Sequence, residues 1–145
     1  MARRDFITKI GAAVLEDGFI LLVRKRGTST YILPGGKPEG TESDEQALGR
    51  ELVEELGCEL RAPSLRYAGE FRDRSADGSG RDVVVRLYFA ELAGVPVPRS
   101  EIEDMVWCDI KLASTLSLAP SLYNGIIPYL IRQGCLSSVP RLTHG

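Results

Sequence analysis

The chain has 145 residues, 43% hydrophobic and 26% charged, a balance ordinary for one globular domain that needs neither disulfides nor a structural metal to fold. Its net charge of −2 gives no reason to expect a nucleic-acid polymer or a membrane surface as partner. Three widely spaced cysteines, Cys58, Cys108 and Cys135, match neither a disulfide framework nor a zinc motif and point to a reducing, cytoplasmic setting. The basic N-terminus is followed by an apolar run that Glu16, Asp17 and Gly18 interrupt, so no signal peptide is expected, and no apolar run reaches the roughly 18 residues of a membrane span. The single histidine, His144, stands beside the C-terminus. That excludes a His-rich metal site and argues against Ser-His-Asp or Cys-His catalysis, leaving carboxylates, arginines, lysines and backbone to do any chemistry.

Residues 6–15 and 19–24 are strand-like on either side of Glu16-Asp17-Gly18, which predicts a β-hairpin. Tyr31 to Leu33 reads as a short extended piece stopped by Pro34, and residues 35–40 as loop. A helix follows. Ser43 is its expected N-cap, Gln46 completes a capping box, and Gly57 is the natural residue just past its end. Leu48, Leu52 and Leu56 line one face, Val53 extends it, and the glutamates take the other side. Gly49, in mid-helix, costs about 1 kcal/mol relative to alanine, so close packing against a strand is expected there. Beyond the helix, residues 59–71 alternate as a strand. Residues 72–81 (RDRSADGSGR) read as a polar loop, mobile without ligand. Strands are expected at 83–92 and 105–108, a helix at 120–134 kinked by Pro128, and a loose tail at 136–145. With no repeat or linker, residues 1–145 read as one α/β domain built on a mixed sheet.

Arg50 to Gly57 reads RELVEELG. On a helix, Glu51, Glu54 and Glu55 fall at i, i+3 and i+4, about 5–6 Å apart at Cβ, a spacing at which like charges destabilise. We expect Glu54 and Glu55 to lack the lysine or arginine partners at four-residue spacing that surface helices carry. Most charge runs are solvated faces. The missing pairing, and a glycine-rich loop able to bring backbone groups to a ligand, favour a bound cation instead. Oxygen-only ligands suit Mg²⁺ or Mn²⁺, with substrate phosphates completing the shell.

Gly36, five residues, Glu42, seven residues, then Arg50-Glu51-Leu52-Val53-Glu54-Glu55-Leu56-Gly57-Cys58 resembles a complete Nudix box, G-x5-E-x7-R-E-U-x-E-E-x-G-U, where U is a bulky apolar residue. Every invariant position matches, and Cys58 is a small substitute at the last U. The resemblance implies a Nudix-type α/β/α sandwich and metal-dependent hydrolysis of a nucleoside diphosphate linked to another moiety. Carried over, it implies Glu51, Glu54, Glu55 and the Gly35 carbonyl as metal ligands, with Glu51 doubling as base. Arg50 would orient a catalytic glutamate, and Glu42, with Gly36 and Gly57, would support the loop–helix geometry. An acidic ligand from the loop before a late strand is implied as well. Glu101, six residues before Trp107, is the candidate, with Glu103 and Asp104 as competitors.

Substrate choice in the family is set outside the box. Asp73 and Arg74 stand where ADP-ribose enzymes carry a proline, and Arg-Ser-Ala at 74–76 replaces the tyrosine of dinucleoside-polyphosphate enzymes. Elimination leaves nucleoside triphosphates, with a nucleoside monophosphate and pyrophosphate as products. A nucleotide-sugar, dinucleotide or other pyrophosphate hydrolase, or a non-catalytic nucleotide-binding module, stays open. Arg24, Arg26, Arg72, Arg74 and Arg81 are the candidate phosphate contacts, and Tyr31, Phe71, Tyr88 and Tyr123 the candidate base stackers. The 120–134 segment resembles the last helix of MutT-like members, with Leu122 where guanine-sanitising members carry asparagine and Asn124 expected to point elsewhere. A small-molecule nucleotide is the expected partner and a homodimer the assembly to look for.

Overall fold

The computed structural model describes residues 6–137. Its elements are β1 (Phe6–Ala13), β2 (Leu15–Glu16), β3 (Phe19–Lys25), β4 (Tyr31–Ile32), β5 (Gly35–Gly36), α1 (Asp44–Leu56), β6 (Glu59–Leu60), a 3-10 turn (Ala62–Ser64), β7 (Arg66–Arg74), β8 (Asp82–Phe89), β9 (Leu92–Ala93), β10 (Ile102–Cys108), α2 (Ile110–Ala113), a π-helical turn (Leu122–Ile126) and α3 (Ile127–Arg132).

One sheet has the order β5-β1-β8-β7, with β1 and β8 parallel and the other pairs antiparallel. A second has β10-β3-β2 with β4 also on β3, and β6 pairs β9. The expected hairpin is therefore reduced to β2 and β3. β1 instead pairs β5 and β8, which take its two hydrogen-bonding edges while two cores cover its faces. The expected loop at 35–40 also begins differently: Gly35 and Gly36 pair with Gly11 and Ile10, and the Ala12 N–H donates to the Pro34 carbonyl at 2.9 Å.

Period-two alternation builds the layers. Ile10, Ala12, Leu21 and Val23 face a core with Ala47, Leu48, Leu52 and Leu56 of α1. Ala13, Ile20, Leu22, Val85 and Leu87 face a second core with Leu122, Ile126, Ile127 and Leu130. Strands thus lie between α1 and the C-terminal helical segment, the expected α/β/α arrangement.

Several boundaries differ from the sequence reading. Pro63 sits in the 3-10 turn that interrupts 59–71. β7 runs on to Arg74, and the remaining turn is closed by the Ser75 N–H on the Arg81 carbonyl at 2.9 Å. β10 starts at Ile102, and the helix before Pro128 widens into a π-helical turn, the adjustment expected where proline withholds an N–H. Leu136 is buried and the Ser137 N–H donates to the Gly18 carbonyl at 2.8 Å, so the expected loose tail is fastened at its start. The rest of that tail, His144 included, lies outside the described residues.

The capping box of α1 forms as expected: the Gln46 N–H donates to Ser43 Oγ at 3.1 Å and the Ser43 N–H to Gln46 Oε1 at 2.9 Å. Gly57 takes the left-handed conformation, φ 67°, and its N–H donates to the Val53 carbonyl. Two expectations for this helix fail. Val53 is exposed rather than part of the apolar face, and a Cβ on Gly49 would meet nothing within 4 Å, so no strand packs there. Gly49→Ala should accordingly stabilise the protein by about 0.5–1 kcal/mol through lower unfolded-state entropy and better helix propensity. A chemical denaturation midpoint that rises, with activity unchanged, is the expected result.

Candidate active site

The loop ahead of α1 is drawn against its glutamates. Gly35 has φ +136°, and a Cβ there would run into the Ile10 carbonyl oxygen, so only glycine lets this strand edge lie so close to β1. Its N–H donates to Glu55 Oε1 at 3.0 Å. A Cβ on Gly36 would stand 2.7 Å from the carboxyl carbon of Glu51. Two consecutive glycines thus make room for two helix carboxylates.

Glu55 is buried with the leucines, contrary to the expectation that the glutamates all take the side away from the apolar face. Its Oε2 has no hydrogen-bond partner. Burial, only partly offset by the Gly35 N–H, pushes its pKa from 4.5 up to about 8, and the charges of Glu51 and Glu101 add to the rise. Burial likewise raises Glu51, against the pull of Arg50. Glu54 points outward, its side chain 54% exposed.

Arg50 holds the rest together. Its Nε and Nη2 form a fork on Glu42 at 2.8 and 2.9 Å, its Nη1 donates to Glu51 Oε1 at 2.8 Å, and its Nη2 reaches the Lys37 carbonyl at 3.1 Å. Glu42 also accepts the Glu39 N–H at 2.7 Å. Arg50 first, and that N–H second, hold Glu42 at a pKa of about 2. Glu54 is not without a helix partner, as the sequence reading had it: Arg50, four residues earlier, lies 3.5 Å from its Oε2. Among the described residues no three ligating side chains converge closely enough to hold an ion as they stand. Arg50 draws Glu51 and Glu54 to one side while Glu55 stays buried beside Gly35. The donor set nevertheless suits a hard divalent cation: oxygen ligands only, with a buried carboxylate oxygen lacking any partner.

Glu101 lies near enough to raise the pKa of both Glu51 and Glu55 and pairs with Lys25 at 3.6 Å. Its competitors are engaged elsewhere: Glu103 with Arg24 at 2.9 Å and Asp104 with the Tyr31 hydroxyl at 2.5 Å. The backbone around Glu101 is tied down. Its carbonyl accepts the Arg26 N–H at 2.8 Å and the Ser100 carbonyl accepts from Arg26 Nε at 3.1 Å, so only the side chain is left to move.

The candidate phosphate arginines are scattered. Arg24 also donates to the Thr28 carbonyl, and Arg26 is tied to Ser100. Arg72 lies over the Phe6 ring and 3.4 Å from Asp82, Arg81 is 3.8 Å from Asp77, and Arg74 is exposed on the same edge strand as Arg72. β7 stands two places from β1 in the sheet, so Arg72 and Arg74 are not brought beside the helix carboxylates. Of the aromatic candidates, Phe71 packs on Tyr129 and Tyr88 on Tyr67, while Tyr123 is exposed. Leu122 is buried, and Asn124 points away to Asp73 at 2.9 Å. The sequence reading passed over Lys9. A lysine on the apolar-facing register of β1 was the available signal.

A family model described as the NUDIX domain matches residues 7–130. The CTP pyrophosphohydrolase of Escherichia coli (strain K12) is 33% identical over 119 residues, covering 78% of this chain and 84% of that protein. An isopentenyl-diphosphate Delta-isomerase of Escherichia coli O17:K52:H18 (strain UMN026 / ExPEC) is 30% identical, covering 84% of this chain and 71% of that protein. The solution structure of the E. coli ORF135 protein superposes with a TM-score of 0.71 at 27% identity, covering 94% of this chain and 96% of the other. With the family model matched over most of the chain and a pyrophosphohydrolase relative at 33% identity, the chain belongs to the Nudix family and is a Nudix hydrolase.

Proposed function

We propose that the protein is a cation-dependent pyrophosphohydrolase of nucleoside triphosphates, releasing a nucleoside monophosphate and pyrophosphate. The observation that carries this reading is Glu55, a buried carboxylate with one oxygen on the Gly35 N–H and the other without a partner. Glu51, Glu54, Glu55, the Gly35 carbonyl and Glu101 would hold Mg²⁺ or Mn²⁺. Such an ion, when bound, neutralises charge on the phosphate oxygens and favours loss of a proton from water. The 33% identity to a CTP pyrophosphohydrolase supports a triphosphate substrate.

In this reading Glu51 takes the proton from the attacking water as its oxygen bonds to phosphorus and the anhydride P–O bond breaks. Arg50, 2.8 Å from Glu51 Oε1, fixes that carboxylate, and Glu42 fixes Arg50. Residues 1–145 act as one domain. Cys58, Cys108 and Cys135 are free thiols, which supports a cytoplasmic site of action. A homodimer is the assembly to check by sedimentation.

Glu101→Gln should lower kcat at least about tenfold, equivalent to about 1.4 kcal/mol of transition-state stabilisation. Glu103→Gln and Asp104→Asn should do less, since those side chains serve Arg24 and Tyr31. A larger loss from either competitor would move the ligand assignment.

A second reading, hydrolysis of a non-nucleotide diphosphate, is favoured by the 30% identity to an isopentenyl-diphosphate isomerase. Purified protein assayed with Mg²⁺ against nucleoside triphosphates, nucleotide sugars, dinucleotides and isoprenoid diphosphates separates the two. We expect the highest kcat/KM on a triphosphate. A higher value on an isoprenoid diphosphate would replace the first reading with the second.

A further inference from the structure

Resting on the pyrophosphohydrolase reading, we propose that Lys9 is a substrate-anchoring residue whose ammonium takes an anionic phosphoryl oxygen of the bound substrate. β1 lies inside its sheet between β5 and β8. Lys9 pairs in register with Val85, and Val85 projects on the face it shares with Gly11, where a Cβ would meet Val85 Cγ1 at 3.1 Å. Lys9 therefore occupies the register of β1 that elsewhere builds the core around Leu122. An ammonium taken from water at such a place is costly unless it is paired.

It is not paired. Among the described residues Lys9 makes no side-chain hydrogen bond or ion pair. The charges that act on it are Lys25 and Lys37, which repel it, and Asp77 and Glu55, which attract it. Glu55 already accepts from Gly35, and Asp77 accepts the Ser79 N–H at 2.9 Å and faces Arg81. Burial first, and the two lysines second, lower the pKa of Lys9.

Lys9 borders a cavity of about 150 Å³ that Lys25, Thr28, Thr30, Ser75 and Asp77 also line. A second of about 50 Å³ continues from Lys9 toward Leu33, Val85 and Leu122. Pockets that enclose a whole ligand run to about 300 Å³ or more, so the first space fits one polar group of a larger molecule. Its wall carries the Lys9 ammonium, the Lys25 ammonium that also pairs with Glu101, and the hydroxyls of Thr30 and Ser75, while the Asp77 carboxylate is held by Ser79 and Arg81, a balance that suits an anion. Because Lys25, on the wall of the same cavity, pairs at 3.6 Å with Glu101, a candidate cation ligand, the anion belongs to the part of the substrate nearest the carboxylates, its phosphate chain. This would also explain why the edge-strand arginines stand away from the site: lysines rather than arginines hold the phosphates.

The test uses the full chain with Mg²⁺ and two probes, inorganic tripolyphosphate and cytidine, in wild type, Lys9→Met and Lys9→Arg, with calorimetric affinities and steady-state kinetics on the best triphosphate. Lys9→Met should weaken tripolyphosphate at least tenfold and raise KM at least tenfold, with kcat within threefold, and Lys9→Arg should recover most of both. Thermal stability of Lys9→Met should be unchanged or higher, because a half-buried, unpaired charge is removed. Three results would each overturn the proposal. These are tripolyphosphate affinity and KM within twofold of wild type, wild type that does not bind tripolyphosphate, or a Lys9→Met loss confined to cytidine, which would make Lys9 a nucleoside contact. If no triphosphate is hydrolysed but tripolyphosphate binding still depends on Lys9, the substrate reading fails and the anion site stands.

Discussion

Glu55→Gln should lose at least about a hundredfold in turnover while leaving the protein folded. The amide keeps the volume and can still accept the Gly35 N–H, but it withdraws the negative charge from a buried carboxylate with an unpartnered oxygen. Lost stabilisation of charge at a transition state is commonly worth about 10²–10³ in rate. The same variant carries a signature in the metal-free protein. The Glu55 pKa is raised from 4.5 to about 8, so the native state holds a proton that the unfolded state releases. The stability linked to that proton is fully present below about pH 4.5 and lost as pH rises through about 8. Wild type and Glu55→Gln should therefore be similarly stable near pH 4.5, and the variant should be the more stable by on the order of 2–4 kcal/mol above pH 8. Denaturant titrations in chelator at the two pH values check this. A difference that shrinks with rising pH would contradict it.

Arg50→Lys should lower kcat by about a hundredfold, the loss typical of a displaced catalytic group, and lower stability as well. A lysine has a single point of charge where Arg50 makes a two-bond fork on Glu42, a bond to Glu51 and a bond to the Lys37 carbonyl. Freed from Arg50, Glu42 should titrate nearer its ordinary value. Its stabilising contribution, present above about pH 4.5 and lost as pH falls through about 2, should then shrink. The variant's acid-unfolding limb should show a smaller loss from that carboxylate. Wild-type kcat in Arg50→Lys would show that the fork is structural only.

What the sequence made legible was chemistry local to a few residues. The capping box of Ser43 and Gln46 and the left-handed Gly57 depend on short spacings, and both appear in the structure. What it concealed was direction and partner choice at long range. Spacing places Glu51, Glu54 and Glu55 near one another, but only the packing of the glycine strand on β1 sends Glu55 inward and leaves Glu54 in solvent. The expected hairpin proved shorter for a related reason. Residues 6–15 and 19–24 both have strand patterns, and pattern alone does not say that β1 joins β8, more than 70 residues on, rather than β3. Gly49 misled in the opposite direction, since a glycine without a close neighbour reads in sequence like one that has it. Lys9 shows how a polar residue at an apolar register position can be the more informative exception.

The central claim is that these carboxylates serve cation-dependent cleavage of an internal phosphoanhydride bond. Its most direct test is the turnover of the best nucleoside triphosphate in oxygen-18 water, with Mg²⁺ or with chelator, and mass analysis of both products. The account predicts nucleoside monophosphate and pyrophosphate in equal amounts, one of the two carrying a single heavy oxygen, and no turnover in chelator. Nucleoside diphosphate with inorganic phosphate as products, or undiminished turnover in chelator, would contradict it.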